Sequence, residues 1–255
     1  MLFKLTNGWE IESTGHTATR VVEDEIFTKQ VYRRNNIQFK DGDVIVDAGA
    51  NVGMFSLWLN TFLTKAFVIT LEPCVESYRM MLANLKRHDH LGVFTNNHAL
   101  WDSLSPCVLQ ECASLPQTNS TVGWSKLQYE VNVRHVVEAM QRIAPLPAWS
   151  IRWLARVILA WKMRSLPKTC STTTIDELCK RYGVGHVDLL KLDVEGAELR
   201  ILRSTKPNCN SVRQIVCEVH DPKELPEVQS LLKAAGYTVA TDWEPNQLPM
   251  VYARA

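Results

Sequence analysis

The segment Asp47-Ala-Gly-Ala-Asn-Val-Gly53 joins an acid to two glycines where a short apolar run gives way to a helical pattern. Gly49 can take a turn conformation that a side chain would resist, and it leaves the backbone open to a ligand. The first N–H groups of the following helix favour a carboxylate, and Asp47 could attract an ammonium group. S-adenosylmethionine carries both groups in its amino acid part. We therefore predict that Asp47, Gly49, Asn51 and Gly53 bind such a ligand; a tight turn without a ligand would show the same pattern.

A second acid, Glu72, ends the next apolar run and is followed by Pro73. At about 20 residues beyond the glycine turn, a carboxylate is placed to accept hydrogen bonds from both ribose hydroxyls. A dinucleotide dehydrogenase could use the same acid, but its Gly-x-Gly-x-x-Gly fingerprint is absent from the turn. After the third run, Asn96-Asn97-His98-Ala99 would face an adenine. We predict that Glu72, Pro73, His98 and Ala99 contact the ligand, with an ordinary polar loop as the alternative for the tetrapeptide.

Three acids and a histidine follow the later apolar runs: Asp193 and Glu195 come after one run, and Glu218-Val219-His220 closes the next. Ligands of an open parallel sheet bind beyond the carboxyl ends of its strands. Acids that converge at that rim require a cationic partner. The sulfonium of the ligand, its ammonium group or a divalent metal would each serve.

We predict that Asp193, Glu195 and His220 are catalytic, with Asp193 or His220 as the base that accepts a proton from a substrate hydroxyl. In a metal-dependent version, Asp193 and Glu218 would supply oxygen ligands to an ion such as Mg²⁺. Glu198 is interpreted as a favourable acid in the first turn of a helix.

The elements that must position these residues are short apolar runs alternating with helical patterns. The runs are Val44–Asp47, Phe67–Leu71, Val93–Thr95, Val187–Leu192, Gln214–Val219, Tyr237–Ala240 and Met250–Tyr252. This alternation predicts an α/β fold with a mostly parallel seven-stranded sheet and helices on both faces. The last two runs lack a helix between them, so an antiparallel edge strand is expected. We predict one domain over 1–255, with an N-terminal segment 1–40 and a helical insertion or cap at about 103–170.

Composition and charge exclude several classes of protein. The formal net charge is +1, so no nucleic-acid partner is indicated. Seven scattered cysteines contain no Cys-x-x-Cys pair, which argues against a zinc site and favours a reduced cytosol. No apolar run reaches the roughly 20 residues that cross a bilayer, and the first residues turn polar too early for a signal peptide. The predicted location is cytoplasmic.

The insertion has a distinctive charge pattern, with basic but no acidic residues between Glu138 and Asp176. An apolar stripe at helical spacing is predicted through Ile151, Leu154, Ile158 and Trp161. Such a helix can pack over the site as a lid, or it can lie on an anionic membrane surface. We predict a lid whose basic face favours an acidic, phosphate-bearing or lipid-linked acceptor. Peripheral membrane contact through 147–164 is the second interpretation.

In their order along the chain, these motifs resemble the FkbM family of methyltransferases. The matching segments are Val46–Gly53, Glu72-Pro73, Asn97–Leu100, Thr173–Leu178, Leu190–Glu198 and Glu218–His220. The resemblance implies a Rossmann-like class I methyltransferase fold with S-adenosylmethionine as the methyl donor. It also implies O-methylation, often of sugar, glycan or natural-product hydroxyls. The stretch between Trp101 and Thr172 is longer than the family usually has there.

The sequence therefore predicts an S-adenosylmethionine-dependent O-methyltransferase with a small-molecule or glycan acceptor. Three alternatives stay open: a nucleotide-sugar or NAD enzyme, an RNA or protein methyltransferase, and a binding protein that keeps the fold without activity. An Asn-Pro-Pro-Tyr cluster, which would hold a planar amine, is absent, and Asp193-Val-Glu-Gly stands in its place.

Overall fold

A computed structural model of the chain describes residues 1–255 except 14, 113–132, 134–135, 138–139, 142–147, 163–164, 206–210 and 245–246. The strands are β1 (Leu2–Lys4), β2 (Glu10–Glu12), β3 (Val44–Ala48), β4 (Phe67–Leu71), β5 (Phe94–Asn96), β6 (Ala99–Leu100), β7 (Cys107–Cys112), β8 (Ser165–Cys170), β9 (Thr172–Thr173), β10 (Val187–Leu192), β11 (Val212–Glu218), β12 (Thr238–Asp242) and β13 (Met250–Arg254). The α-helices are α1 (His16–Glu23), α2 (Met54–Leu59), α3 (Val75–His88), α4 (Ala148–Lys162), α5 (Ile175–Tyr182), α6 (Glu198–Thr205) and α7 (Leu225–Ala234).

The central sheet has seven strands in the order β12-β13-β11-β10-β3-β4-β5. Strands β11, β10, β3, β4 and β5 pair in parallel, which confirms the predicted mostly parallel sheet. One detail of the prediction is wrong, because the antiparallel strand is not at the edge. β13 pairs antiparallel with both β11 and β12, so it lies between them and β12 forms the edge. The crossover through α7 leaves a gap one strand wide beside β11, and β13 returns from β12 to fill it.

Burial on both faces of the sheet explains the near-continuous apolar strands. Successive residues of β3 belong to different cores: Val46 packs in one cluster and Ile45 in the other, as the alternation of side chains along a strand requires. Helices α5, α6 and α7 contribute to the first core, and α2 and α3 contribute to the second. The predicted layer of helices on each face is confirmed.

The N-terminal segment covers the second core. After the β1–β2 hairpin and α1, it forms a π-helix at Asp24–Thr28 and a 3-10 turn at Val31–Arg33. The Tyr32 ring contacts Phe55 of α2 edge-on, with 5.1 Å between the ring centroids. This packing holds the segment beside the carboxyl end of β10.

The insertion begins and ends as a two-stranded ribbon, because β7 and β8 pair antiparallel. This ribbon was not predicted from the sequence. Helix α4 lies between β7 and β8 in the chain, and it buries Ile151 and Ala155 while Trp153 and Leu154 are exposed. The predicted stripe therefore differs at Leu154, since the buried face passes through position 155 instead. The side chains of Ile158 and Trp161 lie outside the described residues.

The division into one domain with an insertion stays a prediction. Among the described residues, none of the helices has the length and apolar character needed to cross a membrane.

Candidate active site

The glycine turn lies at the carboxyl ends of the central strands and is built from left-handed backbone. The φ angles of Gly49, Asn51 and Gly53 are 78°, 50° and 86°. The N–H groups of Gly49 and Ala50 both donate to the Leu71 carbonyl at 3.0 Å, which fastens the turn to β4. A Cβ added at Gly49 would lie 1.7 Å from the Asp193 carbonyl oxygen. The contact of the turn with the end of β10 therefore requires glycine at position 49. The approach of a ligand, which the sequence suggested, would be a second reason.

Asp47 lies beneath this turn and is fully buried. Its carboxylate accepts a hydrogen bond from Ser56 Oγ at 3.1 Å and lies 3.0 Å from the Lys191 ammonium. Burial alone would lower the pKa of Lys191, but the carboxylates of Asp47 and Asp193 outweigh it and raise that pKa. Lys191 therefore stays charged and neutralises Asp47. The contact of Asp47 with a ligand ammonium stays a prediction.

Lys191 also organises the backbone around the site. Its ammonium donates to the Gly49 carbonyl oxygen at 3.0 Å and lies 3.5 Å from Asp193 Oδ2. No role was predicted for Lys191, although it lies within the FkbM-like segment Leu190–Glu198. A charged residue in an otherwise buried parallel strand was the available signal.

Glu72 lies at the end of β4 and is nearly buried. One carboxylate oxygen accepts the Asn51 N–H and the other accepts the Cys74 N–H, each at 2.8 Å. Burial raises the pKa of Glu72 to about 7. Each oxygen has a second lone pair, so the carboxylate retains acceptor capacity for the two hydroxyls of a ribose. The carbonyl oxygens of Glu72 and Pro73 accept hydrogen bonds from Asn97 Nδ2 at 2.8 and 3.1 Å.

The predicted adenine loop follows β5. His98 Nδ1 is buried and has no hydrogen-bond partner in the described part of the chain. Burial and the nearby Arg181 guanidinium lower the pKa of His98, so the ring is neutral at physiological pH. Ala99 is buried in β6, and its N–H donates to the Ser171 carbonyl oxygen at 2.9 Å. A neutral ring nitrogen without a partner is compatible with a nucleoside ligand in this loop.

The predicted catalytic residues meet at the ends of β10 and β11. His220 Nε2 lies 3.5 Å from Glu195 Oε2 and 3.8 Å from Asp193 Oδ1. Glu195 adopts a φ of 56° ahead of Gly196, and this left-handed turn brings its carboxylate back toward the strand end. Asp193, Glu195 and His220 are thus brought together, as the sequence predicted.

Among the described residues, the same three side chains form a group that could hold a metal ion. Their ligand atoms lie within 4.8 Å of one another. Glu218 is outside this group, so the predicted pair of metal ligands, Asp193 and Glu218, stays a prediction. Burial and the Asp193 carboxylate raise the pKa of Glu218 to about 8. Glu218 is then mostly protonated at neutral pH, so it can donate a hydrogen bond.

Glu198 positions the histidine. Its Oε1 lies 2.7 Å from His220 Nδ1 and also accepts the N–H groups of Val194 and Gly196. Burial alone would lower the pKa of His220, but the carboxylates of Glu198 and Glu195 outweigh it and hold that pKa well above its usual range. Glu198 is the first residue of α6, as expected. Its contact with His220 was not predicted, because an acidic residue in the first turn of a helix does not by itself indicate a side-chain partner.

The N-terminal segment completes the site from the other side. The Tyr32 hydroxyl donates to Asp193 Oδ2 at 3.3 Å, and the Lys191 ammonium lies 5.5 Å from the Tyr32 ring centroid. Burial raises the pKa of Glu25, in the π-helix, to about 7, with the Asp193 carboxylate adding to the effect. No local sequence signal marks Tyr32 or Glu25, since both reach the site only through tertiary packing.

Three features together define a Rossmann-like class I methyltransferase. They are the sheet order with β13 between β11 and β12, the glycine turn after β3, and the acid after β4. Residues 47–239 match the model of the methyltransferase FkbM domain, and the chain belongs to this family. It is accordingly an S-adenosylmethionine-dependent methyltransferase.

Two sequence relatives agree with the family assignment. The chain is 30% identical over 241 residues to methyltransferase sdnD of Sordaria araneosa, covering 90% of this chain and 87% of that protein. It is 26% identical to 31-O-demethyl-FK506 methyltransferase FkbM of Streptomyces tacrolimicus, covering 95% of this chain and 90% of that protein. Among solved structures, precorrin-6y C5,15-methyltransferase of Geobacter metallireducens GS-15 aligns with 91% of this chain and 88% of its own, at 11% identity and a TM-score of 0.48.

Proposed function

We propose that this protein transfers a methyl group from S-adenosylmethionine to a hydroxyl group of a sugar, glycan or natural-product small molecule. The observation that carries the proposal is the buried His220, which Glu198 holds at Nδ1 and which directs Nε2 toward Asp193 and Glu195. The name of the Streptomyces tacrolimicus relative, a 31-O-demethyl-FK506 methyltransferase, supports an oxygen acceptor.

The donor supplies a methyl group on a positively charged sulfonium. The chain's contribution is to bind and orient it: the Gly49–Gly53 turn and Glu72 lie at adjoining strand ends, and Glu72 keeps acceptor capacity for ribose hydroxyls. The carboxylates of Asp193 and Glu195 give this rim a negative potential, which favours a cationic donor. Methyl transfer needs alignment more than covalent catalysis, and a partly buried rim of hydrogen-bonded side chains supports it.

On the acceptor side, His220 is the base that the geometry supports best. Its Nδ1–H is held by Glu198, so Nε2 is the atom that accepts the hydroxyl proton. The raised pKa of His220 means that the free protein holds an imidazolium at neutral pH. His220 must lose this proton before it can act, so activity should rise with pH through that pKa.

A metal-dependent version uses the same residues. Asp193, Glu195 and His220 offer two carboxylates and one imidazole within 4.8 Å, and Glu198 would fix the imidazole as outer-shell carboxylates do in metal sites. A set that includes imidazole suits a transition-metal dication better than Mg²⁺, which prefers oxygen ligands. In this version the metal would lower the pKa of the acceptor hydroxyl.

The proposal is tested by incubating the protein with methyl-labelled S-adenosylmethionine and a panel of sugars and polyhydroxylated natural products. Each acceptor is paired with an analogue that carries hydrogen or an amine in place of the hydroxyl. An O-methyl product, identified by NMR, supports the proposal. Transfer to nitrogen or carbon, or no transfer to any hydroxyl while S-adenosylhomocysteine still binds, contradicts it.

Variants then assign the base. His220→Ala should lower turnover by about 10²–10⁴-fold, the usual cost of removing a general base. His186→Ala, at a half-exposed histidine that pairs with Asp188, is the matched control. If Asp193→Asn causes the large loss and His220→Ala does not, the base is Asp193. Loss of activity on chelation, with recovery on adding Mn²⁺ or Mg²⁺, selects the metal-dependent version.

A further inference from the structure

Two cysteines face each other where the insertion leaves and rejoins the fold. Cys107 begins β7 and Cys170 ends β8, and the two are direct partners in the antiparallel register. Their sulfur atoms are 3.2 Å apart, and both are free thiols. None of the proposed methyl-transfer steps uses this pair.

We propose that Cys107 and Cys170 are a modification site that forms a reversible disulfide by exchange with a small-molecule disulfide such as oxidised glutathione. The S–S bond of a disulfide is about 2.0 Å long, so the sulfurs need to approach by only about 1 Å. The ladder between β7 and β8 already holds the two backbones in facing positions. Side-chain rotation is therefore sufficient, and no strand has to shift.

The hydrogen bond between the two thiols determines which of them attacks first, because it lowers the pKa of Cys107 and raises the pKa of Cys170. The Cys170 thiol donates to the Cys107 sulfur, which lowers the pKa of Cys107, and the Arg200 guanidinium lowers it further. The Cys107 thiolate attacks one sulfur of oxidised glutathione and releases a glutathione thiolate. The Cys170 sulfur then displaces the second glutathione from Cys107, and its proton passes to a released thiolate. Two protein thiols are oxidised, and one glutathione disulfide is reduced to two thiols.

The position of the pair determines its effect. The two cysteines are 63 positions apart in the sequence and enclose the whole insertion. Cys170 is followed by Ser171, whose carbonyl oxygen accepts the Ala99 N–H at 2.9 Å next to the predicted adenine loop. A disulfide would thus tie the two ends of the insertion to each other, next to the strand pair β6–β9, and it would restrict the unfolded chain.

The experiment equilibrates the full chain in glutathione buffers of graded oxidised-to-reduced ratio, followed by alkylation, intact mass measurement and peptide mapping. Wild type should lose about 2 Da, the two thiol hydrogens, and give a Cys107–Cys170 linked peptide. Its thermal unfolding midpoint should rise by several degrees, and dithiothreitol should reverse both changes. Cys170→Ser and Cys107→Ser should give neither change. Cys179→Ser, at a half-buried thiol on α5, is the matched control and should behave as wild type.

Alkylation of both thiols at the most oxidising ratio would overturn the proposal, as would a linkage to a different cysteine. A Cys107–Cys170 link that leaves the unfolding midpoint unchanged would refute the restraint on the insertion. If one serine variant does not fold, the other still tests the same pair.

Discussion

Replacing Glu198 with glutamine tests whether this residue sets the proton affinity of His220. The two side chains are 0% and 4% exposed, and 2.7 Å separates Oε1 from Nδ1. Glutamine keeps an oxygen that can accept the hydrogen bond but removes the negative charge. The carboxylate of Glu198 is the largest contribution that raises the pKa of His220. In Glu198→Gln, that pKa should therefore fall toward or below its ordinary value.

The effect on stability follows from the same bond. A hydrogen bond to a charged group contributes about 1.5–3 kcal/mol, so Glu198→Gln should lower the free energy of unfolding by about that amount in mild acid. Oε2 of Glu198 is buried without a hydrogen-bond partner in the described part of the chain, so the new amide nitrogen gains no acceptor there. The pKa of His220 is raised in the folded state. The stabilisation is therefore fully present below about pH 6.5, the unfolded value, and is lost as pH rises through the folded pKa.

Two assays read these effects. The pH profile of kcat/KM should show its acid limb moving to lower pH in Glu198→Gln, because His220 loses its proton more easily. Urea unfolding in mildly acidic and in alkaline buffer should show a larger difference from wild type in acid. Glu227→Gln is the control, since Glu227 forms an exposed ion pair with Arg203. An unchanged acid limb, with equal loss of stability at both pH values, would refute the role of Glu198 as the positioning residue for His220.

Three further predictions test other contacts. Gly49→Ala should destabilise the protein by more than Gly183→Ala. Both backbones are left-handed, but only a Cβ at position 49 would meet the Asp193 carbonyl oxygen. Equal losses of stability in chemical denaturation would disprove this contact. Glu72→Ala should weaken S-adenosylhomocysteine binding by about 1.5–3 kcal/mol in calorimetry through loss of the ribose hydrogen bonds, and unchanged affinity would rule out that assignment. If α4 contacts a membrane, Trp153→Glu should abolish sedimentation with anionic liposomes at low salt; absence of binding by wild type would leave only a soluble-substrate function.

The central strands were predictable from the sequence because their burial leaves a regular apolar pattern. Apolar runs placed the seven strands of the central sheet within about two residues, because these strands are buried on both faces. The short strands outside the central sheet were not predicted. The proximity of Asp193 and His220 was predictable, because parallel strands end at the same edge of a sheet. The FkbM motifs fall on these same elements.

The parts of the site that were missed depend on tertiary contacts. Tyr32 reaches Asp193 from far away in sequence, and Lys191 pairs with Asp47 across adjacent strands. Neither contact has a local pattern. The place of β13 was also missed, because two strands without an intervening helix imply an antiparallel pair but do not show on which side of β12 the last strand lies.

The position of β13 has a consequence for folding of the chain. β12 is synthesised before β13, yet β13 is its partner in the sheet. Among the described residues, β12 is not a neighbouring strand of β11. The five parallel strands can therefore pair first during folding, and β11 is an open edge until residues 250–254 have inserted beside it. An open edge can pair with other chains. The folding chain is thus exposed to misassembly at β11 until β13 is in place.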